Sequence, residues 1–143
     1  MVDIRHAISI TASPEEIYEL VSSARGFARW WAADVTEKAG GIVELGFFQR
    51  ATVYVLQPVR LAPPSEALWI CQSGKEWQGT RIEFWLQALG ANTMVHFSHA
   101  GWAADTEYFI SCNTTWGELM FRLKAVAEGK GLGPLFMKDS LAY

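Results

Sequence analysis

The sequence predicts an α+β domain in which a long C-terminal helix packs into a curved antiparallel sheet. Three observations carry this reading: a period-2 segment followed by a helix cap near the N-terminus, successive extended segments broken by turns, and a helical stripe from about Asp105 to Gly129. The helix can bury its stripe only against the sheet.

Ile4, His6, Ile8 and Ile10 alternate with Arg5, Ala7, Ser9 and Thr11, the pattern of a strand with one buried face. Ser13-Pro14-Glu15-Glu16 then supplies an N-cap, a proline at the first helical position and two carboxylates beside the positive helix end. That helix should run to about Ser22, with Ile17, Leu20 and Val21 on its apolar face. A second short helical turn should carry Phe27 to Trp31, after Gly26. Neighbours on such a turn diverge by about 100°, so one ring of Trp30-Trp31 is expected inside and the other nearer the surface.

Gly40-Gly41 separates extended pieces at Asp34 to Glu37 and Ile42 to Phe48, and Ala51 to Val59 reads as the next strand. Pro58, Pro63 and Pro64 place a loop at Arg60 to Ser65, because proline cannot donate to an internal ladder. Glu66 to Gln72, Thr80 to Leu89 and Thr93 to His99 follow as strands of an antiparallel meander. On the last two, Ile82, Phe84, Leu86, Val95, Phe97 and His99 share the face expected to meet the helix, and Trp85 and His96 fall on the other. Phe109, Cys112, Trp116, Leu119, Leu123 and Val126 then recur as one helical stripe. Gly129, Gly131, Gly133 and Pro134 stop that helix and leave a tail from Leu135 to Tyr143.

A chain of 143 residues is expected to form a single domain spanning 1–143 and to bury roughly two-thirds of its unfolded surface. Its composition, half hydrophobic and 19% charged, is globular, with no apolar run of about 20 residues for a membrane helix. The N-terminus shows no basic region followed by an apolar block, so a cytoplasmic location is expected. A formal charge of -3 with dispersed Lys and Arg gives no footprint for nucleic acid or an anionic membrane. Cys71 and Cys112 lack the spacing of a metal cluster or a disulfide scaffold and read as half-buried thiols. His96 and His99, three apart on a strand, point to opposite faces and cannot grip one ion, so neither metal nor cofactor is expected.

Seven Trp, eight Phe and four Tyr are more large rings than a small core requires. Each ring can be read either as core or as the wall of a ligand pocket. The candidate ligand-binding residues are Trp31, Phe47, Tyr54, Trp69, Phe84, Phe109 and Trp116, with His99 and Asn113 as polar groups that fix orientation.

Several segments carry a family resemblance: Ser13-Pro14-Glu15-Glu16-Ile17-Tyr18, Trp30-Trp31, Trp77 to Phe84, Thr93 to Trp102, and the tryptophan-led helix from Trp116 to its glycine stop at Gly129. Together they resemble the START-like SRPBCC superfamily, in the branch similar to the C-terminal domain of activators of the ninety-kilodalton heat-shock protein ATPase. The resemblance covers nearly the whole chain. It implies a helix-grip fold, a sheet of six to seven strands wrapped around the long helix, and often a cavity for hydrophobic or aromatic small molecules. Members include lipid carriers, hormone receptors, polyketide aromatases and cyclases, so fold alone does not choose an activity. The function expected here is binding of a hydrophobic or aromatic small molecule between sheet and helix, with no recognisable catalytic motif. One alternative is a polyketide cyclase- or dehydratase-like enzyme in which Tyr54 or His99 moves a proton. The other is a protein-interaction module, co-chaperone-like or homodimerising, that uses exposed aromatics.

Overall fold

The alternation of the first ten residues becomes strand β1 (Val2–Ile10) in the computed structural model, which describes residues 1–139. Helix α1 (Pro14–Val21) opens with a complete capping box: the Ser13 hydroxyl accepts the Glu16 N–H at 3.1 Å, and the Glu16 carboxylate accepts the Ser13 N–H at 3.3 Å. The other end of α1 leaves carbonyls without helical partners. Trp30 donates its indole N–H to the Leu20 carbonyl at 2.7 Å, and Trp69 does the same to Val21 at 3.1 Å. Both rings are thus fixed by a polar bond as well as by apolar burial.

Helix α2 (Ala24–Phe27) starts at a Ser23 cap and lies three residues earlier than the turn predicted at Phe27 to Trp31. Gly26 lets it close on α1, since a Cβ there would collide with the Glu19 carbonyl. From α2 the chain has crossed the whole sheet, and it enters the far edge as β2 (Asp34–Glu37). Then β3 (Val43–Phe47), β4 (Thr52–Ala62), β5 (Glu66–Cys71), β6 (Arg81–Leu89) and β7 (Asn92–Trp102) return by antiparallel steps to β1. The result is one seven-stranded sheet in the order β1-β7-β6-β5-β4-β3-β2.

The last element, α3 (Glu107–Ala127), starts at a Thr106 cap and lays Cys112, Trp116, Leu119, Met120, Leu123 and Val126 onto the sheet. Phe109, the first member of the predicted stripe, is half-buried. Lys124 reaches the Ser9 carbonyl and Glu128 at 2.8 Å each, while Glu128 accepts the Thr11 N–H, so the end of α3 is clipped to the end of β1. This is the α+β helix-grip architecture that the sequence predicts. Ile82, Phe84, Leu86, Val95, Phe97 and His99 are buried on the helix side, and Trp85 faces His96 across the opposite side. Among the described residues, no helix is long and apolar enough to cross a membrane.

Two local expectations are corrected. Strand β4 does not stop before Arg60 but runs on through Pro58 to Ala62. Its pairing with β3 ends at Leu56, and a register irregularity between Pro58 and Arg60 absorbs the proline. The rings of Trp30 and Trp31 do not divide between interior and surface: both are buried, with centroids 5.9 Å apart and planes at 25°. Phe27, Phe47, Trp77 and Trp116 surround the second ring, and the Leu135 and Phe136 N–H groups of the tail bond to the Trp30 and Trp31 carbonyls at 3.0 Å. The last part of the predicted tail, 140–143, lies outside the described residues.

Candidate functional site

Tryptophan is too large to fill a small interior without either stacking or leaving space, and here both occur. Trp31 and Trp116 lie 5.0 Å apart, and Trp116 runs nearly parallel to Trp77 at 6.2 Å. Phe47, Phe48 and Phe136 form a second ring group, with Phe136 edge-on to Phe47 at 5.2 Å and to Phe48 at 5.9 Å. Between these groups and α3 is a cavity of about 390 Å³, also lined by Thr52, Tyr54, Tyr108, Ser111, Cys112, Thr115 and Leu119. That volume lies near the lower end of the roughly 300–1,000 Å³ typical of small-molecule sites. No lining residue is a carboxylate, a histidine or a basic side chain among the described residues.

The tryptophan side of the cavity is held by a hydrogen-bonded relay. Trp116 donates its indole N–H to His99 Nδ1 at 3.0 Å, which leaves the proton on Nε2 to be donated to Thr80 Oγ1 at 2.8 Å. The Thr80 hydroxyl in turn donates to the Trp77 carbonyl at 2.5 Å. Every donor in this relay has an acceptor, so β7, α3 and the loop bearing Trp77 and Thr80 are locked together. Burial pushes His99 down to about 3, and its imidazole stays neutral.

Tyr54 stacks on Trp77 at 3.7 Å with an interplanar angle of 6°, and its hydroxyl meets the hydroxyl of Tyr108 from the first turn of α3. Gly74, at a φ of 108°, lets the Tyr54 ring lie against the backbone, where a Cβ would come within 2.5 Å of it. Burial raises Tyr54 well above the ordinary phenol range and Tyr108 to about 12; it also raises the Cys112 thiol. The polar groups of the cavity are therefore uncharged at neutral pH.

Residues 11–128 match the family described as activator of Hsp90 ATPase homolog 1-like protein. The chain belongs to this family. Its fold is similar to the solution structure of the Aha1 dimer from Colwellia psychrerythraea, with 31% identity and a TM-score of 0.82 over 93% of this chain and 100% of that one. It is also similar to protein CV1439 from Chromobacterium violaceum, at 18% identity and a TM-score of 0.74 over 90% and 99% of the two chains. A third likeness is to CalU16 from Micromonospora echinospora, at 16% identity and a TM-score of 0.71 over 89% and 74%. No curated protein matches the chain. The START-like, SRPBCC-type resemblance read from the sequence agrees with the family and with the fold.

Of the nine candidate residues, Trp31, Phe47, Tyr54 and Trp116 line the cavity. Trp69 and Phe84 pack in the closed part of the core around Phe27 and Trp30. His99 stands behind the tryptophan wall, its nitrogens bonded to Trp116 and Thr80. Phe109 sits edge-on to Trp102 at 5.2 Å, and Asn113 is exposed on α3. Sequence reasoning missed Trp77, Tyr108 and Phe136. Tyr108 was within reach of the helical period, being four residues before Cys112 and eight before Trp116, whereas Trp77 lies in a loop and Phe136 in the tail, where no periodicity marks a face.

Proposed function

We propose that this protein binds a hydrophobic or aromatic small molecule in the cavity between the sheet and α3. The observation that carries the reading is the unfilled space of about 390 Å³ between two groups of rings, in a core whose other large side chains are closely packed. Flat aromatic walls favour a flat ligand, and each good ring contact adds about 0.5–1.5 kcal/mol beyond area burial. Binding fits the site better than chemistry. His99 is neutral with both nitrogens engaged, and the phenols of Tyr54 and Tyr108 hold their protons, so no general base is poised for a cyclase- or dehydratase-like step.

The test is titration with a panel of flat aromatic and isoprenoid compounds, read by tryptophan fluorescence and thermal shift. Saturable quenching with a rise in melting temperature is expected, and no response from any compound would overturn the proposal. Self-association is a second reading, favoured by the dimeric state of the Colwellia relative at 31% identity. Exposed Val59 and Leu61 on β4 and Phe121 on α3 offer apolar surface for it. Light scattering across a concentration series decides it, with a monomer at all concentrations counting against the dimer.

A further inference from the structure

Resting on the cavity reading above, we propose that the paired hydroxyls of Tyr54 and Tyr108 are its polar anchor, selecting an uncharged aromatic ligand that carries one hydrogen-bonding oxygen. Two phenols bring two O–H groups, and their mutual hydrogen bond uses one of them. The remaining O–H has the Cys112 thiol beside it, a weak acceptor. Trp77 adds another donor: its Nε1 is buried without a partner of hydrogen-bond geometry and lies next to the same thiol. This corner of the cavity therefore holds more donors than acceptors, and Trp77 Nε1, buried without an acceptor, is the costly one. A ligand oxygen supplies the missing acceptor.

The oxygen should be neutral. No charged side chain lines the cavity among the described residues, and the Glu76 carboxylate, close to Tyr108 and Cys112, repels an anion. Geometry also makes the anchor rigid, because Tyr54 is clamped between the Trp77 ring and Gly74, and Tyr108 projects from the capped first turn of α3. The flat shape demanded by the walls and the oxygen demanded by this corner together describe an aryl ketone or a phenol in preference to a plain hydrocarbon or an aryl carboxylate.

The experiment compares three probes of nearly one shape, naphthalene, 2-acetonaphthone and 2-naphthoate, by fluorescence titration of the full chain and of the Tyr108→Phe and Tyr54→Phe variants. For the unaltered protein, 2-acetonaphthone should bind about 10-fold more tightly than naphthalene, the size of one good hydrogen bond, and 2-naphthoate more weakly than both. Tyr108→Phe should reduce the preference for 2-acetonaphthone over naphthalene several-fold, the freed Tyr54 hydroxyl being the one phenol donor left in this corner. Tyr54→Phe, which leaves Tyr108 without its partner, should reduce the preference in the same direction. An unchanged ratio in both variants, or tightest binding by 2-naphthoate, overturns the anchor while leaving the cavity as a binding site. Failure of all three probes to bind overturns the cavity reading together with the anchor.

Discussion

Trp116 on α3 and His99 on β7 share a single hydrogen bond at 3.0 Å, and its direction fixes the histidine tautomer, the pose of the indole and the shape of one side of the cavity. A donor on the indole requires a bare nitrogen on the imidazole. Protonating His99 would set two N–H groups against each other.

Acid should therefore weaken the fold through His99. Its ordinary value of 6.5 falls to about 3 on burial, so the folded protein binds fewer protons than the unfolded chain between these values. The associated stability is complete above about pH 7.5 and declines as pH falls through 6.5 toward 3, by at most about 1.4 kcal/mol per pH unit. Urea unfolding at pH 7.5 and 5.0 measures it. His99→Leu should flatten that acid slope and cost about 2 kcal/mol at pH 7.5, because the Trp116 N–H is left unpaired.

Phe136→Ala should lower stability by about 3 kcal/mol, the usual cost of emptying a buried phenylalanine site. It should also enlarge the cavity on its phenylalanine side. Chemical denaturation gives the first effect, and faster hydrogen exchange at the Ala33 amide, which bonds to the Phe136 carbonyl at 2.8 Å, should report the accompanying loosening of the tail.

Gly74→Ala should be far more harmful than an alanine substitution at an ordinary loop position. The new Cβ meets the Tyr54 ring at 2.5 Å and the backbone has a φ of 108°, so strain and ring displacement add. A loss of about 2 kcal/mol or more is expected, together with weakened probe binding. Equal stability of variant and parent by thermal melting would show that the Tyr54 ring is not clamped there.

Gln49→Gly should stabilise the protein. Phe48, Gln49 and Arg50 have φ values of 53°, 56° and 66°, a left-handed run that glycine adopts without its Cβ penalty. The gain is about 1 kcal/mol. Conversely, Arg50→Ala removes the bonds that hold this turn to Asp34 and Glu44, and faster amide exchange should appear at Ala51, whose N–H bonds to Phe48.

Much of the fold was legible because its signals are periodic. The first ten residues alternate, the Ser13 box is local, and the α3 stripe repeats over five turns, so each element could be read without its neighbours. What failed depended on distant chain. Trp31 is buried because Phe47, Trp77 and Trp116 close on it from β3, a loop and α3, and β4 passes Pro58 because its pairing with β3 ends at Leu56. The cavity was half legible for the same reason. Trp116 and Tyr54 sit on regular elements, but Trp77 is aimed by the Thr80 relay, which joins residues far apart in sequence. Trp69 and Phe84 have the composition of wall residues, yet Trp30, bonded to Leu20, fills the space before them.

The relay through Thr80 and His99 gives the cavity one stiff flank, while the opposite flank rests on the Phe48 turn and on a tail joined to α3 through Gly129, Gly131 and Gly133, each at positive φ with open space beside it. Tolerance to change is correspondingly lopsided. A lineage shifting its preference from one guest to another can rewrite the phenylalanine flank residue by residue, but any rewriting of the tryptophan flank must alter four bonded partners in concert.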